Sequence, residues 1–319
     1  MLVLANSNHV VMRAMESFAK IVTRDGDATR ADWANAAVAQ ESRRITNAFS
    51  CLYGICEELR SAGLNVIVIK SLDHWPDLGS DLDLYTDAEP QSVVNLMKAK
   101  FRARTAPRSW GDRLANKWNF IVPGLPELVE IHMGRLGQTG EQAAIAGSLL
   151  ARSRPLRIGG RIFHVPAPED RFMISTLQRM YRHFYIRLCD IVDNAALIGS
   201  GAIDFEDLRS SAKASGLWEG VATYLCIISD YVAYYRGRGL DLPPVVRSSA
   251  SFDGAKVRFG RGFLRIPILP EAASLYASQL STLLLSGEIR NSARLSLLPC
   301  LATAAALGQK ITGSDKGIW

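Results

Sequence analysis

The most restrictive stretch of the chain is DLDLY at residues 81–85, where acidic and apolar side chains alternate with a period of two. An extended strand turns successive side chains to opposite faces, so Asp81 and Asp83 share one face while Leu82 and Leu84 take the other. Upstream, NVIVIK at residues 65–70 is β-rich and reads as a second, buried strand. The ten residues between, SLDHWPDLGS, contain proline and glycine and form a loop that delivers the chain to the two acids.

Around this centre the remaining pattern is helical first and mixed later. Residues 31–61 carry Val38, Ile45, Phe49, Leu52 and Ile55 at helical spacing and predict one long helix or two joined ones. A further helix is expected over 90–100, and strands near 118–122 and 128–132. The last of these places Glu130 and His132 on the face opposite Val129 and Ile131. A helix at 140–151 precedes RIGGRIFHV at 157–165, a hairpin turning on Gly159 and Gly160. Pro166 and Pro168 mark a boundary, after which helices are expected from 169 onward and at 204–215, 218–236, 271–286 and 289–308. The fold class is therefore α/β: a mixed β-sheet domain over residues 1–165, then a mostly helical domain over 166–319. KVRFGRGFLR supplies a small β-hairpin near 256–268, docked by the active cleft.

Composition limits the function classes. With 319 residues, 48% hydrophobic and 21% charged, the chain can bury a sizeable core and matches no collagen-like, coiled-coil or low-complexity mixture. Five cysteines, with no paired C-x-x-C, argue against a disulfide scaffold or a compact thiolate zinc site and fit a reducing cytoplasm. The uncharged tracts at 272–287 and 295–309 are too short for an ordinary membrane span, so no integral membrane contact is expected. The net charge of +6 permits an anionic partner, and its distribution is uneven. Residues 51–100 hold 8 acids against 4 bases, whereas residues 151–200 hold 4 acids against 8 bases.

A bare D-x-D is a weak signal, since solvated acids on an edge strand give the same string. Its context here is richer: VIVIK precedes the loop, GSDLDLY carries the pair, and VEIH brings a third carboxylate to the same sheet face. This order resembles the uncharacterised bacterial nucleotidyltransferases within the DNA polymerase beta-like nucleotidyltransferase superfamily, mainly over residues 64–132 and more weakly over 169–194. The resemblance implies that Asp81 and Asp83 bind Mg²⁺ and that Glu130 is the third acid, supporting a metal or taking a proton from an acceptor hydroxyl. It also implies Lys70, Gly79 and Ser80 as nucleotide contacts, His132 as a secondary site residue beside Glu130, and Arg187 and His183 as downstream site residues. His183, Arg187 and Asp190, spaced i, i+4, i+7, can line one helix face. The sequence departs from the family in having Ser71 where members often have glycine after the lysine, and in placing Gly79 and Ser80 directly against Asp81.

The activity so implied is Mg²⁺-dependent transfer of a nucleoside monophosphate from a nucleoside triphosphate such as ATP to an acceptor hydroxyl, with release of pyrophosphate. The acceptor is a small metabolite or tRNA. Two alternatives stand beside it: a nucleotide-binding or protein-interaction module without catalysis, and a different metal-dependent phosphotransferase. For RNA, the basic interval Arg102, Arg104, Arg108, Arg113 and Lys117, interleaved with Trp110 and Trp118, offers charge and stacking; the same residues also describe an ordinary charged surface.

Overall fold

Asp27 accepts a hydrogen bond from the Arg30 amide and starts a 34-residue helix that runs unbroken from Ala28 to Ser61. In the computed structural model, which describes residues 1–301, 303 and 304, this helix is α3. It follows α1 (Leu2–Ser7) and α2 (Val11–Arg24). The apolar stripe foreseen in the sequence is buried at Ile45, Phe49, Leu52 and Ile55, and the stretch is one helix rather than two.

The central sheet has five strands: β1 (Ile67–Val68), β2 (Asp81–Thr86), β3 (Arg104–Thr105), β4 (Lys117–Ile121) and β5 (Leu128–Met133), ordered β1-β2-β5-β4-β3. Of the expected strand over 65–70 only Ile67 and Val68 lie in regular pairing. The chain leaves it at Lys70, whose φ of 63° is rare for a residue with a Cβ. Helices α4 (Pro90–Phe101) and α5 (Trp110–Leu114) fill the crossings. Strands β2 and β5 run parallel with Asp83 opposite Glu130, and β4 lies antiparallel to β5.

Alternation along β2 sets the layers. Leu82 and Leu84 are fully buried in a core shared with Leu52, Ile55 and Leu59 of α3 and Val93 and Met97 of α4, each such side chain contributing about 1.5–3 kcal/mol. On the opposite face Ile67, Ile69 and Tyr85 join a second core made with the later helices, and the Tyr85 hydroxyl donates to the Ala146 carbonyl. Asp81, Asp83 and Glu130 thus face the helical part of the chain.

The expected helix at 140–151 is shorter, α6 (Ala143–Ser148). Gly140 is left-handed at φ 73°, and a side chain there would strike the Leu114 carbonyl. The hairpin β6 (Arg154–Ile158) and β7 (Arg161–Val165) turns on Gly159 and Gly160, both at positive φ, and seats Phe163 on Phe49 and Tyr53 of α3. Pro168 then opens α7 (Pro168–Thr176), which passes into a π-helical segment over Leu177–His183.

That segment departs from the sequence reading. His183, Arg187 and Asp190 do not share a helix face: Phe184 turns left-handed at φ 54°, Tyr185 and Ile186 form β8, and Arg187 precedes α8 (Leu188–Gly199). The rest is α9 (Phe205–Ala214), α10 (Trp218–Arg236), α11 (Pro244–Ser249), β9 (Arg258–Gly260), β10 (Phe263–Arg265), α12 (Ala273–Leu285) and α13 (Ile289–Ser296). The β9–β10 hairpin adds to β8 as a three-stranded sheet. Residues 302 and 305–308 of the expected last helix lie outside the described residues. Among the described residues, no helix is long and apolar enough to cross a membrane.

Candidate active site

The loop that carries Lys70 toward the acids is tied down by arginines from the N-terminal helices. Arg13 donates to the Asp77 carboxylate at 2.6 Å and to the His74 carbonyl at 3.2 Å, and Arg44 donates to the carbonyls of Leu78 and Gly79. Arg44 is itself fixed by Glu41 and by the buried Glu127. Ser71 closes the loop on the strand: its hydroxyl accepts from the Asp83 amide at 2.7 Å and donates to the Asp81 carbonyl at 3.3 Å. Ser71 therefore pins the two acids. Ser71→Ala is expected to lower stability by about 1–3 kcal/mol in urea denaturation, because the amide loses its acceptor in a buried place.

Asp81, Asp83 and Glu130 line one cavity of about 160 Å³ together with Lys70, Ser71, Gly79 and Ser80. Its other side is formed by Gln178, Arg179, Arg182 and His183 of the π-helical segment and by Arg187. The acid-rich and base-rich stretches of the sequence thus become facing walls. Lys70 reaches Asp83 at 2.6 Å and stands 3.9 Å from Glu130. Lys117, far from being a surface cation, is buried between Glu130 at 3.0 Å and Asp112 at 2.9 Å.

The acids differ in charge state. Burial pushes the Asp83 carboxyl up to about 7 against the pull of Lys70, and burial with the nearby Glu130 charge also raises Asp81. Glu130 behaves oppositely: burial opposes its ionisation, but the His132 hydrogen bond and the charges of Lys70 and Lys117 hold it well below the usual carboxylate range. Burial lowers His132 to about 4, so its ring is neutral at pH 7 while Nε2 donates to Glu130 at 2.9 Å. His183 is likewise lowered to about 2 by burial and by Arg182, Arg179 and Arg187.

Asp83, Glu130 and His132 offer ligand atoms within 4.8 Å of one another; Asp81 stands outside that trio but shares the cavity. Both Glu130 oxygens already have partners, His132 and Lys117. The two strand aspartates supply carboxylate oxygens, the donor type that a hard dication prefers. Every site residue named from the sequence lines the cavity except His132, which adjoins it through Glu130. At Gly79 the space a Cβ would take lies 3.2 Å from the His9 ring.

Sequence reading missed His9, His74, Arg179 and Arg182. The last two precede His183 in QRMYRH, and their excess of positive charge was the one signal available. In the basic interval, Arg108 stacks on Trp118 at 4.3 Å and Arg113 lies over Trp110 at 5.7 Å.

Residues 2–233 match the family described as an uncharacterised nucleotidyltransferase. No functionally curated protein matches the chain. Among solved structures, the antibiotic-resistance factor ANT(2'')-Ia is similar at 11% identity and TM-score 0.40, over 60% of this chain and 97% of that one. An antigenic nucleotidyltransferase-like protein from Paracoccidioides brasiliensis is similar at 13% identity and TM-score 0.38, over 62% and 95%. Both likenesses are distant.

Proposed function

The chain belongs to the family of uncharacterised nucleotidyltransferases, and on that premise we propose that it transfers a nucleoside monophosphate from a nucleoside triphosphate to an acceptor hydroxyl, releasing pyrophosphate. One observation supports the reading above all: three sheet carboxylates and the cations Lys70, Arg182 and Arg187 line a single cavity. Such a pairing of walls suits a polyanion held by guanidinium and ammonium groups on one side and by a dication on the other. Asp81 and Asp83 would hold Mg²⁺, which when bound neutralises phosphoryl charge and polarises the α-phosphorus toward attack.

The chain's own residues do the positioning. Arg182 and Arg187 bind the polyphosphate, and Lys70 balances Asp83, so little protein reorganisation accompanies the shift of charge to the departing pyrophosphate. Glu130, held ionised by His132 and Lys117, is a weak proton acceptor, and we assign it to orienting this acidic wall. The division of labour follows the division of the chain, with a catalytic sheet unit over 1–165 and a mostly helical unit over 166–319 that presents the arginines. Unpaired cysteines throughout the chain accord with a cytoplasmic setting.

For the acceptor, the Arg108–Trp118 stack weighs against RNA, because it engages that aromatic face within the chain, and Lys117 points inward. A small hydroxyl-bearing metabolite is the better fit. Incubation with nucleoside triphosphates labelled at the α or γ phosphorus, with a metabolite extract or with tRNA, tests the reading. The expected result is Mg²⁺-dependent α-label on a small molecule with stoichiometric pyrophosphate. Transfer of γ-label alone would make the protein a phosphotransferase, and tight nucleotide binding without transfer would make it a binding module.

A further inference from the structure

Beside the acidic wall lies a second cluster that the transfer reaction does not use. His9 follows α1, His74 lies in the loop between β1 and β2, and Cys189 is the second residue of α8; their ligand atoms lie within 4.8 Å of one another. Each is held in place. The Nδ1 of His74 donates to Asp193 Oδ2 at 2.6 Å, which fixes the ring and leaves Nε2 facing Cys189 Sγ, 4.0 Å away. Asp193 is in turn clamped by Arg13 at 2.5 Å.

On the other side, the Cys189 amide donates to the Asn8 carbonyl and the Leu188 amide to Asn8 Oδ1, so the residue after Asn8 is carried to the thiol. His9 adopts φ 53°, a costly conformation for a residue with a Cβ, and its ring rests on the open face of Gly79.

A cysteine, a histidine and an aspartate in this order also describe an activated nucleophile. Cys189, however, is fully buried and lines neither wall of the cavity, so no substrate electrophile reaches it. An ion does not need that access, because His9 and His74 both face the cavity. Ordinary zinc bond lengths and tetrahedral angles put sulfur and nitrogen ligands about 3.6 Å apart, a small contraction from the observed spacing. One thiolate and two neutral imidazoles leave a single positive charge on the complex, which the Asp193 carboxylate behind His74 offsets.

We propose that Cys189, His74 and His9 bind a Zn²⁺ ion, with the fourth position open to the cavity. Coordination through the Nδ1 of His9 would replace the hydrogen bond that this atom accepts from Arg187 Nη1 at 3.3 Å. The ion fastens the N-terminal segment, the loop before β2 and the start of α8 to one another, the three pieces that frame the cavity.

Cobalt(II) titration of the full, chelator-treated protein tests this. One equivalent is expected to give thiolate-to-cobalt charge-transfer absorption with the visible bands of four-coordinate cobalt, displaced by Zn²⁺. Cys189→Ala abolishes the charge-transfer band, whereas replacing the exposed Cys300 by alanine retains it. So does the Asp81→Ala/Asp83→Ala variant, which separates this site from the transfer chemistry. Where Cys189→Ala does not fold, Asp193→Asn serves instead: it leaves all three ligands and weakens cobalt binding about 10–100-fold. No charge-transfer band in the wild type, a band that survives Cys189→Ala, or an affinity unchanged in Asp193→Asn overturns the proposal.

Discussion

The Asp81→Ala/Asp83→Ala variant loses Mg²⁺-dependent nucleotide transfer by about 10³-fold or more, while its fold and its affinity for metal-free nucleotide persist. The size follows from the roles. Removing one preorganised charge partner of a reacting group typically costs about 10²–10³-fold, and the double change removes both proposed metal ligands. Folding is spared because burial pushes both carboxyls up, so the protein bears a desolvation cost for each, and Lys70, relieved of Asp83, still has Glu130 at 3.9 Å. Metal-free affinity persists because Arg182 and Arg187 come from the opposite wall. Rate assays with α-labelled nucleotide, thermal melts and nucleotide binding in chelator check the three parts separately. Wild-type transfer rates in the variant would end the assignment of the two acids. The isosteric Asp83→Asn, which keeps the shape beside Lys70 and removes only the charge, should fall nearly as far.

The acids were legible because strand alternation is a local property. DLDLY and LVEIH each fix which side chains share a face, and the structure places them on neighbouring strands with Asp83 opposite Glu130. Alternation could not say that Lys117, the last cation of the tryptophan-bearing basic interval, turns inward to hold Glu130, since that depends on β4 pairing with β5. The helix face expected to carry His183, Arg187 and Asp190 together failed for a different reason. QRMYRHFYIR contains no glycine or proline, yet the chain breaks at Phe184 because β8 is claimed by the distant β10, a tertiary preference that overrides helical spacing. His9 and His74 were illegible altogether: they meet Cys189 across separations of 180 and 115 residues, and no short spacing records it. The scarcity of clustered cysteines excluded a compact thiolate site, but said nothing of a site assembled from single residues.

Arg179→Met should be the most destabilising substitution near the cavity, at about 3–5 kcal/mol. Arg179 is 1% exposed and pairs with Asp190, 3% exposed, at 2.8 Å. Asp190 also accepts from the Arg187 amide at 2.7 Å, closing the first turn of α8. Truncating the arginine strands a buried carboxylate without its cation, and this cost exceeds whatever the intact pair contributes over an apolar replacement. The asymmetry gives the test its edge. Adding Asp190→Asn to Arg179→Met removes the stranded charge and keeps an acceptor oxygen for the Arg187 amide, so the double variant should recover a large part of the loss. Urea denaturation of wild type, both single variants and the double variant measures this as a coupling energy. Additive losses would mean that the pair is not the electrostatic unit its burial implies. Recovery would tie the stability of the helical wall to the residue that presents Arg187 to the cavity.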